Sequence, residues 1–259
     1  MNTKFLRHKV AFNTLFAREI RRFLRIWPQT LLPPAITMTL YFIIFGNLIG
    51  SRIGQMGGFS YMQYIAPGII MMSVINNAYS NVASSFFSAK FQNHIEELLV
   101  APVPNYLILA GYVAGGTTRG LFVGLIVTLV SLFFTQLNIQ HIFITISMVF
   151  LSAILFALGG FINAIYATSF DEISIIPTFI LTPMTYLGGV FYSISLLPEF
   201  WQNVSLLNPI FYMVNAFRFG MLGASDIAIE IAFAIILVCI ISLSSFALYL
   251  LNKGTGIRN

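Results

Sequence analysis

Residues 26–51 read IWPQTLLPPAITMTLYFIIFGNLIGS, bounded by Arg25 on one side and Arg52 on the other, with no charge between them. A helix needs about 20 mostly apolar residues to cross the hydrocarbon core of a bilayer. This stretch has that length, and it is not unique in the chain. Residues 53–89, 98–118, 120–170, 173–198 and 231–252 are equally free of charge, and 120–170 is long enough for two crossings. A transmembrane β-barrel would instead show segments of about ten residues with alternating polarity. These runs are continuous and rich in Leu, Ile, Phe, Ala and Gly, so they read as helices.

Composition supports the same solvent. Apolar residues make up 58% of the chain and charged residues 8%, against about 25% charged in a soluble domain. A chain so poor in charge cannot cover its own surface in water. The formal net charge of +5 gathers in the first 25 residues, which argues for a membrane surface rather than nucleic acid. Cys239 is the only cysteine, so no intrachain disulfide and no cysteine-rich metal site is expected. The opening residues do not follow the pattern of a cleavable signal peptide.

Residues 11–26, AFNTLFAREIRRFLRI, place Phe12, Leu15, Phe16, Ile20, Phe23 and Leu24 on one side of a helix. Arg18, Arg21, Arg22 and Arg25 fall on the other. The pattern predicts a basic amphipathic helix lying in the headgroup plane; the alternative is a plain positive flank of the first span. Spans are predicted at 28–50, 62–87, 105–134, 142–167, 173–193 and 228–251. Lys and Arg in short loops set the orientation. Lys4, Arg7, Lys9 and the four arginines above share one face with Lys90, Lys253 and Arg258; Arg52 and Arg218 lie on the other. Both termini are then cytoplasmic. That requires an even number of spans, and six fits: an all-α membrane protein with one transmembrane domain over residues 1–259.

Three further segments carry potential function. The loop 88–104, SAKFQNHIEELLVAPVP, has Phe91, Ile95, Leu98 and Leu99 on one side and Lys90, His94 and Glu97 on the other. Pro102 and Pro104 stop it before the next span. Its apolar side needs a cover, either a groove on a partner protein or the headgroups. Glu96 and Glu97 weigh against an anionic membrane surface. In the third span, Gly111/Gly115 and Gly116/Gly120/Gly124 form small-residue stripes at four-residue steps. Such stripes let helices approach closely in lipid, within the subunit or across a dimer. Arg119 sits among them with no Asp or Glu in the body of any predicted span to pair with. An ionisable residue at that depth is by default a functional-site hypothesis. A snorkelling or carbonyl-capped Arg, or one reaching the Asp171–Glu172 loop, is the structural alternative.

The third segment, residues 187–223, is apolar but broken by Pro198 and Pro209 and carries Glu199, Trp201 and Arg218. It predicts short re-entrant or interfacial helices forming an external cap or gate, since irregular backbone at membrane depth needs protein or water around it; a loop lying on lipid is the alternative. No GxxxxGK[ST] phosphate loop, HExxH pair or GxSxG elbow occurs, and the spans hold no acidic or histidine relay for proton coupling. Energy must enter from another chain, or transport is passive.

Taken together, RRFLRIWPQTLLPPAITMTLYFIIFGNLIG (21–50), HIEELLVAPVP (94–104) and LTPMTYLGGVFYSISLLPEFWQNVSLLNPI (181–210) resemble the permease subunits of bacterial type-2 ABC exporters, over nearly the whole chain. The resemblance implies a non-enzymatic inner-membrane permease. It makes residues 11–26 a connecting helix, and 88–101 a coupling helix that docks on a separate ATPase carrying the ATP and Mg²⁺. Residues 194–222 become external helices above the path. It implies two permeases with two ATPases, spans one and five at the permease contact, and outward transport of drugs, lipids or glycans by alternating access. A stand-alone carrier or channel is the rival reading.

Overall fold

The computed structural model describes residues 3–256. Arg258 and the side chains of Lys4 and Leu99, named above, lie outside the described residues. The chain is a helical bundle. Helix α1 spans Thr3–Arg25 and α2 spans Trp27–Tyr41; a π-helical stretch, Phe42–Ile49, and α3, Gly50–Ile53, continue its line. A hairpin of β1 (Gln55–Met56) and β2 (Phe59–Ser60) follows, pairing Gln55 with Ser60 and Met56 with Phe59. Gly57 and Gly58 form its two-residue loop, both with positive φ, the geometry that such a tight turn demands.

Helix α4, Tyr61–Phe91, opens on a reciprocal cap. Ser60 Oγ accepts from the Gln63 amide at 3.3 Å, and Gln63 Oε1 accepts from the Ser60 amide at 3.2 Å. Then come α5 (His94–Val100), α6 (Asn105–Ser131) and α7 (Ile142–Tyr166). The region predicted as one span at 173–193 is an uninterrupted helical run over 170–187, made of α8 (Phe170–Ile176), a π turn over Pro177–Leu181, and α9 (Thr182–Leu187). Pro177 and Pro183 lack the amide hydrogens that a regular α-helical ladder would use. A 3₁₀ turn at Ile194–Leu196, α10 (Glu199–Leu206), α11 (Pro209–Leu222) and α12 (Ile229–Lys253) complete the chain.

Among the described residues, four helical stretches are long and apolar enough to cross a membrane: Trp27–Ile53, Asn105–Ser131, Ile142–Tyr166 and Ile229–Lys253. Helix α4 has the length but carries Ser73, Asn77, Asn81 and Ser85, spaced four apart and all buried. It is the axis of the bundle, packed on α6, α7 and α11, so its polar side chains meet protein rather than lipid. One apolar cluster surrounds Tyr64–Ile75 together with α11 and includes Ile236 of α12. A second joins Val82, Phe86 and Phe87 to Tyr112, Phe161 and Ala247–Leu251. By contrast α12 exposes Ile231, Leu237, Val238 and Ile241 along one face, as a lipid-facing helix would.

The glycine stripes of α6 divide their labour. A Cβ at Gly111 would stand 2.8 Å from that of Leu15, and one at Gly115 would overlap Glu19, both on α1. A Cβ at Gly120 would come within 2.8 Å of Ala78 Cβ, one at Gly124 within 2.5 Å of Val74, and one at Gly116 would overlap Val82, all on α4. One stripe therefore seats α1 and the other seats α4. The helix predicted at 11–26 is longer than expected, and the side it buries lies on α6. Helix α1 begins at Thr3 and runs along the first half of α6, because Leu15 and Glu19 fit a groove that Gly111 and Gly115 leave open.

Candidate functional site

Two regions bear on function, and both involve the end of the bundle where α5 lies. Helix α4 runs on through Phe91, so residues 88–91 belong to it rather than to the coupling segment predicted at 88–101. The chain then breaks at Asn93, whose φ of 59° is left-handed, and restarts as α5. Pro102 and Pro104 follow it, and Ala101 is extended. Ile95 is buried to 1% exposure and pins the helix to the bundle, while His94, Glu96, Glu97, Phe91 and Val100 are exposed and Leu98 is half-buried. The short helix thus offers an acidic, partly apolar outer surface.

Lys90 does not join that surface. Its Nζ donates to the carbonyls of Ile165 at 2.6 Å and Ala167 at 2.8 Å. These are orphan acceptors at the C-terminal end of α7, where a cation is favoured. Nearby, the amide and hydroxyl of Thr168 donate to Glu172 at 2.7 and 2.8 Å. Those two bonds hold its carboxyl below the usual range. The Asp171–Glu172 turn is therefore occupied locally and makes no contact with Arg119.

The second region is a polar seam between α1, α4 and α6. Arg22 Nη2 donates to the Asn81 carbonyl at 2.9 Å and to Asn81 Oδ1 at 2.8 Å. Arg119 donates to the same Oδ1 at 3.5 Å and to Asn77 Oδ1 at 3.3 Å. Glu19, 1% exposed, lies 3.5 Å from Arg22 Nε and 3.6 Å from Arg18 Nη2. Arg18 also donates to the Tyr112 hydroxyl at 2.5 Å. The four arginines predicted to face headgroups differ: Arg22 is half-buried on Asn81, Arg18 reaches Tyr112 while keeping 43% of its side chain exposed, and Arg21 and Arg25 are exposed. A cavity of about 1000 Å³ opens beside them, lined by all four arginines with Ser85, Ser88 and His94. Its charge suits an anion.

Glu19, Asn77, Asn81 and Tyr112 were not singled out from sequence. Two signals were present: Glu19 interrupts the Leu15–Phe23 stripe at four-residue spacing, and the Ser73/Asn77/Asn81/Ser85 register marks a polar face on an otherwise apolar helix.

At the far end of α4, the predicted gate residues are not brought together. Glu199 and Trp201 sit exposed on α10, whereas Arg218 is buried at 1% exposure within α11. Its guanidinium donates to the carbonyl of Tyr64 at 3.3 Å, to the hydroxyl of Tyr64 at 3.0 Å and to the carbonyl of Gly189 at 2.5 Å. It also stacks 4.0 Å over the Tyr64 ring. Arg218 is a clamp joining α4, the loop after α9 and α11. It is not the free loop charge that the orientation count assumed, because three acceptors supply what water would have supplied.

Over residues 10–222 the sequence matches the family described as ABC-2 type transporter. The chain belongs to that family. This ABC-2 chain is 59% identical over 251 residues to the inner membrane transport permease YadH of Escherichia coli strain K12, covering 96% of this chain and 98% of that one. It is 23% identical over 185 residues to nodulation protein J of Rhizobium leguminosarum bv. viciae, covering 71% of each. Nodulation protein J of Rhizobium meliloti strain 1021 matches at 22% over 186 residues, again 71% of each. As an ABC-2 family member the chain is a permease subunit, the non-catalytic membrane component of its transporter.

Proposed function

We propose that this permease is the bundle of an ATP-driven exporter in a bacterial inner membrane, with six crossings and both termini in the cytoplasm. In this reading α4 and the run from α8 to α9 are crossings in addition to the four long apolar stretches. Helix α4 is too polar for lipid but is sheathed by α6, α7 and α11. The working unit is two permeases with two copies of a separate ATPase, and the cargo is an amphipathic drug, lipid or glycan.

The observation that carries the reading is α5. A short helix is pinned at Ile95, ended by two prolines, and turns Glu96, Glu97 and Val100 outward with no protein cover in the chain itself. That surface suits a groove on a partner. ATP binding by the partner shifts the permease between inward and outward states only through contacts that differ between them, and α5 is placed to make such contacts.

The test is co-reconstitution with a candidate ABC ATPase subunit and export measured across a panel of amphipathic substrates. ATP-dependent export supports the proposal. Flux from the permease alone, undiminished without ATPase, would establish a stand-alone carrier instead.

A further inference from the structure

We propose that Glu19 is a positioning residue for transport. Its carboxylate holds Arg22, on the same helix, in place to bond Asn81 of α4, and so ties movement of α1 to Arg119, the second cation on that oxygen. The inference rests on the exporter reading above and adds a second route from the cytoplasmic surface into the bundle, distinct from α5.

Burial and charge place the carboxylate. Glu19 is 1% exposed on the face of α1 that also buries Leu15 and Phe23, and it fits because residue 115 has no side chain. Three guanidinium groups, Arg18, Arg22 and Arg119, line the seam, and Glu19 is the only carboxylate paired with any of them among the described residues. Glu19 is the buried member of these pairs: Arg18 and Arg22 keep 43% and 31% of their side chains exposed, and neither Glu19 oxygen has a hydrogen-bond partner among the described residues, so its two cations alone hold the carboxylate. Glu19 therefore sets the charge balance that lets α1 sit against α6.

The link to Arg119 runs through one acceptor. Asn81 Oδ1 receives Arg22 from α1 at 2.8 Å and Arg119 from α6 at 3.5 Å. The shorter bond belongs to α1. If α1 lifts, Arg22 leaves and the oxygen becomes fully available to Arg119, whose Nε has no hydrogen-bond partner among the described residues. The Nδ2 of Asn81 is equally unsatisfied and fully buried. A shared acceptor with spare donors around it can exchange one cation for the other when α1 moves, and a change that alters the contacts in one state only shifts the equilibrium. Asn77 and Ser73 continue the polar register along α4 beyond Asn81, at about 1.5 Å per residue.

The experiment compares the wild-type permease–ATPase complex with Glu19→Gln and Glu19→Gln/Arg22→Gln in proteoliposomes. It reads transport per ATP hydrolysed, together with hydrogen exchange of residues 11–25. Glu19→Gln should cut transport per ATP roughly tenfold and raise exchange in α1 but not in α12. The double variant should recover the α1 exchange, since the pair is removed together, but not the coupling, since the bond from Arg22 to Asn81 is lost with it. Wild-type coupling in Glu19→Gln overturns the proposal. So does equal loss of folded yield in both variants, which would make Glu19 a folding residue only. Should the wild-type complex itself fail to transport with ATP, the exporter reading fails, while the exchange data still judge the latch: unchanged α1 exchange in Glu19→Gln overturns it.

Discussion

Arg22 and Arg119, carried by different helices, converge on one side-chain oxygen, that of Asn81, at 2.8 and 3.5 Å. Two cations on a neutral acceptor inside a helical bundle are not there for stability. Arg119 gains only two long bonds, to Asn77 and Asn81, for a guanidinium largely withdrawn from water. Replacing such a group with an apolar one of similar size is often neutral or stabilising.

Arg119→Leu should therefore insert and fold at least as well as wild type, with a thermal midpoint in detergent that is unchanged or higher. Its ATP-driven transport should fall by about tenfold or more. A fully active Arg119→Leu transporter would make the residue a tolerated passenger.

The glycines of α6 separate by what a new methyl would meet. At Gly120 it would press on Ala78 Cβ at 2.8 Å and the Val74 carbonyl at 3.0 Å, both fixed parts of α4. At Gly159 of α7 it would meet only the Tyr79 ring at 3.6 Å. Gly120→Ala should destabilise the bundle by about 1–3 kcal/mol through overpacking, and Gly159→Ala should be neutral within about 0.5 kcal/mol. Thermal unfolding of the two variants side by side checks the contrast, and equal midpoints would contradict it.

Arg218 should matter to stability more than Glu199 or Trp201. Arg218→Met would strand the Gly189 carbonyl and the Tyr64 hydroxyl in a buried site, at a cost of about 3 kcal/mol. Glu199→Gln and Trp201→Ala, on exposed positions of α10, should leave the midpoint where it was. Arg218→Lys should not rescue, because one ammonium cannot reach all three acceptors that the planar fork serves.

How much of this was legible in the sequence follows the range of each interaction. The glycine stripes and the prolines ending α5 are local signals, and their spacing alone separates Gly111/Gly115 from Gly116/Gly120/Gly124. The basic helix was visible as amphipathic. Which of its arginines reach protein partners was not, because Arg22 meets Asn81 across 59 residues and Arg18 meets Tyr112 across 94. Arg218 was misassigned for the same reason: charge counting treats an Arg in a broken apolar segment as exposed, and its acceptors lie 29 and 154 residues away. Helix α4 was visible as a charge-free run, but its burial comes from the whole bundle.

Lys90 and the Glu96–Glu97 pair, grouped together on sequence, should separate by experiment. Lys90 caps the end of α7 through the carbonyls of Ile165 and Ala167, a role worth up to about 2 kcal/mol in a partly buried setting. Lys90→Met should lower the thermal midpoint of the isolated permease and still bring the ATPase through co-purification. Glu96→Lys/Glu97→Lys changes two exposed side chains of α5, so the permease should fold with a midpoint shifted by less than about 0.5 kcal/mol and yet lose the ATPase. If Lys90→Met releases the ATPase while remaining fully stable, Lys90 belongs to the docking surface after all. If the doubly substituted α5 still co-purifies and hydrolyses ATP normally, the partner binds elsewhere on the permease.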